Sequence, residues 1–216
     1  FLMLFIYSKC FSQNNFQKGY IISNNNDTVS GLIKYGSNFE NTYKCSFQVN
    51  PDSPAVTYSP GEIIAYRFDD GKFFISKKLN PSDTSDIFLE FLFDGIVDLY
   101  HYSDKKGVHY LISTTNNTLQ ELKNDTRTSI INGVKYETES KDYIGVLKTV
   151  FIESPSLMKK TESVPLTYNS LLKLAEEYHR EVCPDEESIN YARKRFKTRI
   201  TPGLIAGYSF SDLLLR

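Results

Sequence analysis

Ile87–Ile112, IFLEFLFDGIVDLYHYSDKKGVHYLI, reads as three consecutive antiparallel strands. Asp94-Gly95 separates two runs rich in β-branched and aromatic residues. An Asp-Gly pair suits a type I′ turn, which needs positive φ at both central positions. With 94–95 as the loop, Phe93 faces Ile96, Phe91 faces Asp98, Leu89 faces Tyr100 and Phe88 faces His101. A second loop, Ser103–Gly107, leads into Val108–Ile112 and sets His101 opposite His109. The first strand is apolar on both sides, with Phe88 and Leu92 on one and Ile87, Leu89, Phe91 and Phe93 on the other. Such a strand belongs at the centre of a sheet that is covered above and below.

On the amino-terminal side, Gly19–Ser23 and Thr28–Tyr35 flank the polar turn Asn24–Asp27 and predict a first hairpin. Lys44–Val49 predicts a third strand before the loop Asn50–Pro54, where two prolines remove donors and restrict φ. Ile63–Phe68 and Lys72–Lys77 surround the turn Asp69–Gly71. Beyond the central stretch come Thr118–Leu122 and a last hairpin, Thr128–Ile131 with Val134–Glu137, around Asn132-Gly133. Short, evenly spaced strands with Gly and Asn turns predict an antiparallel meander closing toward a sandwich or small barrel over residues 14–138.

Residues 139–192 read as helical. Ser140 is placed to cap a helix carrying Ile144, Leu147, Val150 and Phe151, which ends near Ser154. Pro155 suits the first position of a further short helix capped by Ser154. From Thr167, the residues Leu171, Leu174, Ala175, Tyr178 and Val182 form an apolar stripe opposite Lys173, Glu176, Glu177, Arg180 and Glu181. The class is therefore mainly β (α+β): a β-meander followed by two to three helices that cover a face of the sheet, then one terminal strand. Arg193–Arg199 is a basic run that reads as a linker. Ile200–Phe210, ITPGLIAGYSF, alternates apolar or aromatic residues with small or polar ones. That is the dyad pattern of a transmembrane β-strand, although an ordinary strand of a soluble domain reads the same way.

Composition narrows the function classes. Twenty-five basic and 26 acidic residues nearly cancel, so no basic face for nucleic acid is indicated. Phe1–Tyr7 is apolar and too short to span a bilayer. Followed by Cys10 and Ser12 ahead of Gln13, it has the layout of part of a secretory signal over residues 1–13, the alternative being a buried amino-terminal strand or helix. That leaves Cys45 and Cys183, which an oxidising compartment would allow to pair and which otherwise remain free thiols. No Cys-x-x-Cys, Walker loop, Gly-x-Ser-x-Gly elbow or dinucleotide fingerprint occurs, so no catalytic residue and no cofactor is assigned.

The one cluster with metal-binding chemistry is Glu90, His101 and His109. Directly opposed histidines have Cβ atoms about 5 Å apart, and two imidazoles with a carboxylate could hold zinc or work as an acid–base group. Satisfied sheet histidines are the plainer reading, because a one-residue change in loop length separates the pair. His179, near Glu176 and Glu177, lacks the His-Glu-x-x-His spacing of helical zinc sites.

Taken in succession, FQKGYIISNNNDTVSGLIKY, PGEIIAYRF, FLFDGIVDLYHY, DYIGVLKTVF, LLKLAEEYHREVC and PGLIAGYSFS resemble the exported outer-membrane β-barrel proteins of flavobacteria and related bacteria. The resemblance implies a soluble periplasmic domain ahead of a carboxyl-terminal barrel, with residues 200–216 as its first strand. It also implies location at the cell outer membrane, contact with outer-membrane lipid through the barrel, and a periplasmic protein partner. It transfers no catalytic residue. Relatives of that kind carry a second Cys shortly after the position of Cys183, where this chain has Ser188. The leading expectation is a non-enzymatic, porin-like protein's periplasmic domain with a gating or docking role. A free periplasmic ligand- or peptide-binding protein is the alternative, and a metal-dependent hydrolase at Glu90, His101 and His109 is the remote one.

Overall fold

The computed structural model describes residues 15–69, 71–114 and 118–192. The expected signal (1–13), linker (193–199) and barrel strand (200–216) lie outside the described residues. Strands β1 (Phe16–Ser23) and β2 (Thr28–Lys34) form the first expected hairpin. Then come α1 (Asn38–Tyr43), β3 (Cys45–Gln48), β4 (Val56–Tyr58), β5 (Ile63–Phe68) and β6 (Phe73–Lys77). The central stretch supplies β7 (Ile87–Asp94), β8 (Val97–Ser103) and β9 (Val108–Thr114), followed by β10 (Gln120–Glu121). A hairpin, β11 (Thr126–Ile131) with β12 (Val134–Glu139), precedes α2 (Asp142–Val150), α3 (Pro155–Thr161) and α4 (Tyr168–Val182). A two-residue strand, β13 (Ile189–Asn190), closes the described chain.

The fold is mainly β, α+β, as the sequence predicts. One antiparallel sheet runs in the order β10-β9-β8-β7-β6-β5-β1-β2-β3-β4, with β13 pairing with β7. Only residues 59–62 join β4 to β5, yet four strand spacings separate them, about 19 Å in a flat sheet. The Glu62 amide donates to the Ser59 carbonyl at 3.1 Å, making a turn whose ends lie within about 7 Å. So the sheet must curl, bringing β4 back toward β5. Ile21, Ile33, Phe47, Tyr66, Phe74 and Phe88, one from each of six strands, meet inside that trough. Gly19 and Gly31 pair across β1 and β2 where the curl is tight. A Cβ on either would lie 2.3 Å from a carbonyl oxygen of the next strand, of Arg67 or of Gln48.

Helix α1, which the sequence reading did not include, closes the trough. Its Asn41 carbonyl accepts from the Tyr66 hydroxyl at 2.7 Å, and Thr42 Oγ1 accepts from the Ser103 amide at 3.2 Å. Helices α2, α3 and α4 cover the other half of that face. There Leu92, Leu99 and Ile112 pack with Leu147, Leu171 and Leu174, each side chain contributing about 1.5–3 kcal/mol on burial. The α4 stripe and the Ser154 cap, whose Oγ accepts from the Leu157 amide, are as expected. Ser140, however, does not cap α2; Lys141 occupies the N-cap position, at φ 52, and its side chain makes no cap bond. Ser140 instead accepts from the Asp125 amide at 3.0 Å and returns a backbone donor to the Asp125 carbonyl at 2.8 Å, clamping the base of the β11–β12 hairpin.

Both registers in the central stretch differ from expectation. The first hairpin turns at Gly95-Ile96, and it pairs Glu90 with His101, Phe91 with Tyr100 and Phe93 with Leu99 across a bulge. Gly95 lies outside the left-handed region, so no type I′ turn forms. The reason is tertiary: His179 on α4 accepts the Ile96 amide at 3.0 Å. A Cβ on Gly95 would lie 2.7 Å from the Phe93 ring and 2.8 Å from His179 Nδ1. In the second hairpin Ser103 pairs with Val108, which shortens the loop to Asp104–Gly107.

Candidate functional site

That one-residue change separates the two histidines. His101 now faces Tyr110 and His109 faces Tyr102, so they point to opposite sides of the sheet. The proposed Glu90, His101 and His109 site is corrected accordingly: Glu90 and His101 meet, and His109 belongs elsewhere. Among the described residues no group of three His, Cys, Asp or Glu side chains is placed to hold a metal ion.

Glu90 and His101 occupy the joint between the trough and the helical half. His101 Nδ1 lies 3.1 Å from Glu90 Oε2, and Lys72 Nζ donates to the same oxygen at 3.0 Å. Lys72 also donates to Asn38 Oδ1 at 2.6 Å, which ties α1 to the carboxylate. Burial alone would raise the Glu90 pKa, but the donors and charges of His101 and Lys72 outweigh it and hold the carboxyl below its ordinary value. Tyr168, at the start of α4, feels the same group: burial and then the Glu90 charge push its hydroxyl pKa up. Glu90 is thus an anion already met by two cationic or protonatable partners, an arrangement that fastens elements together rather than one that exposes a base.

His109 sits at the sheet edge in a cleft of ≈ 430 Å³ lined by Tyr102, Lys106, Glu121 and Lys123, among others. Its Nδ1 lies 2.7 Å from Glu121 Oε1 and its Nε2 lies 2.9 Å from Asp104 Oδ1. Desolvation lowers its pKa, but the two carboxylates prevail and raise it above the ordinary value. A carboxylate on each nitrogen favours the protonated ring, which donates from both. It staples β9 to β10 and to the β8–β9 loop, leaving no ring nitrogen to abstract a substrate proton.

His179 is the opposite case. Nδ1 accepts from the Ile96 amide, so Nε2 carries the proton and donates to the Glu186 carbonyl at 2.9 Å. On the outer face, Lys77 Nζ donates to the Tyr100 hydroxyl at 3.0 Å, which donates to Asp98 at 2.9 Å. Burial raises the pKa of both Tyr100 and Asp98. This relay joins two strands, β6 and β8, and no local motif signals it.

The candidate disulfide is also corrected. Cys45 and Cys183 are free thiols. Cys45 is buried inside the trough, with its pKa pushed up to about 12 by burial. Cys183 follows α4, which packs into the other core.

Comparison of the chain with protein-family models, with curated proteins and with solved structures yields no match. The resemblance to flavobacterial outer-membrane barrel proteins therefore stands on its sequence motifs alone.

Proposed function

We propose that this chain is a non-catalytic docking domain, held in the periplasm as part of an outer-membrane β-barrel protein. The observation that carries the docking role is the β11–β12 hairpin. It forms its own two-stranded sheet, and all its described side chains are exposed, with Ile130 at 73%, Val134 at 53% and Tyr136 at 48%. An isolated two-stranded ribbon is marginal in water, so apolar side chains on such an arm suit a protein surface that covers them. The tether is supported by β13: Ile189 and Asn190 pair with Asp94 and Phe93, and the Tyr191 amide donates to the Leu92 carbonyl at 3.0 Å. These contacts stitch the chain into the sheet just ahead of the basic and alternating segments. The outer-membrane location rests on the sequence resemblance and on the alternation of Ile200–Phe210.

The test is fractionation of cells that make the intact polypeptide, combined with trypsin treatment. The expected result is recovery with outer membranes, and cleavage at the arm (Arg127, Lys135) only after the outer membrane is permeabilised. Recovery in the cytosol would overturn the reading. A second reading, a free periplasmic ligand-binding protein, is favoured by the cleft beside α1 described next; a secreted monomer in the same fractionation would select it.

A further inference from the structure

Helix α1 is patterned inside out. It buries Asn41 and Thr42, at 3% and 1% exposure, and leaves Phe39 and Tyr43 outside at 40% and 43%. Burial normally selects the aromatic residues and exposes the amide. The inversion is enforced on the buried side, where Tyr66 and Ser103 hold Asn41 and Thr42 in place. A capping box adds to it: the Glu40 amide donates to Ser37 Oγ, and Glu40 Oε2 accepts from the Ser37 amide at 3.1 Å. The two outer rings sit 5.1 Å apart, inclined at 55°.

Opposite them stands the Asp104–Gly107 loop, and between loop and helix lies an apolar-lined cleft of ≈ 620 Å³. That volume is within the usual range for small-molecule sites. The loop is held closed on itself, since the Asp104 amide donates to the Gly107 carbonyl at 2.9 Å and Asp104 Oδ1 accepts from the Lys106 amide at 2.7 Å. His109 holds the same carboxylate from behind. The charges lining the cleft therefore do not cancel. Glu40 is engaged by Lys44 at 3.3 Å and Asp104 by His109, whereas Lys105 and Lys106 make no ion pair among the described residues.

We propose that this cleft binds a small organic anion with a flat apolar body, of the arylcarboxylate class. The body lies against Phe39 and Tyr43, and the carboxylate meets the Lys105 and Lys106 ammonium groups. The rings supply apolar area, and the two lysines select charge. The inference does not depend on whether the chain is tethered to a membrane.

The full chain is titrated with naphthoate and with its neutral isostere naphthamide, read by calorimetry and by NMR. Naphthoate is expected to saturate one site and to bind about tenfold more tightly than the amide at low salt, with the preference shrinking as salt screens the lysines. Phe39→Ser with Tyr43→Ser should abolish binding of both probes while leaving the thermal unfolding midpoint in place, because both rings are exposed. Lys105→Gln with Lys106→Gln should equalise the two probes without weakening the amide. Absence of saturable naphthoate binding would overturn the proposal. So would binding that survives the Phe39 and Tyr43 substitutions, or an anion preference that survives the lysine substitutions.

Discussion

Tyr102 and His109 stand directly opposite each other on β8 and β9, their rings 4.5 Å apart and 10° from parallel. This stack, with Asp104 and Glu121 on the two ring nitrogens, turns a residue with the credentials of a metal ligand into an internal clasp.

The clasp has a defined pH signature. Desolvation opposes the charge, but the hydrogen bonds His109 donates to Glu121 and Asp104 raise its folded-state pKa above 6.5. Its contribution to stability is then complete below the ordinary histidine value and is lost as pH rises through the folded one. The stability advantage of the native protein over His109→Phe should be largest at mildly acidic pH and fade in alkali. An imidazole NMR titration midpoint at or below the ordinary value of about 6.5 would contradict it.

Glu90 carries the opposite sign. Its folded pKa lies below the ordinary value because His101 and Lys72 outweigh desolvation. Its contribution is present above the ordinary carboxylate range and disappears as pH falls through the folded pKa. Glu90→Ala should destabilise by roughly 3–5 kcal/mol at neutral pH, because Lys72 and His101 lose their carboxylate, with the gap to the native protein narrowing as pH falls through the folded pKa. Urea unfolding at a series of pH values measures this; a gap that is constant with pH would refute it.

One substitution should act in opposite directions at different glycines. Gly31→Ala places a Cβ 2.3 Å from the Gln48 carbonyl and 2.5 Å from the Phe47 ring, an overpacking expected to destabilise by roughly 1–3 kcal/mol. Gly145→Ala, in α2 with nothing within 4 Å of the new atom, should stabilise by about 0.5–1 kcal/mol. Thermal midpoints that move the same way would refute the packing argument.

Ser154 caps α3 through the Leu157 amide and also donates to Glu181 at 2.8 Å, so it links α3 to α4. Ser154→Ala should lower stability by about 1–2 kcal/mol, combining a lost cap with an abandoned acceptor. Equilibrium unfolding reads this directly, and an unchanged midpoint would remove the cap from the account.

The class, most of the individual strands and the amphipathic helices were legible in the sequence, because each follows from a short-range rule, whereas the pairing of β1 with β5 was not. Period-two and period-3.6 patterning, Gly and Asn turns and the Ser154-Pro155 start depend only on neighbours along the chain. Local spacing also placed Glu90 and His101 on one face. What spacing could not supply was the register of two hairpins, which competing contacts decided. His179, 83 residues away from Ile96, captures the amide that a type I′ turn at Asp94-Gly95 would have used otherwise. The Asp104 carboxylate shortens the next loop by gathering the amides of Lys106 and Gly107 together with His109. A one-residue slip reverses the face of every side chain beyond it. So the separation of the histidines, the curl at Gly19 and Gly31 and the inverted helix α1 are properties of the packed sheet, settled by partners that lie far off in the sequence.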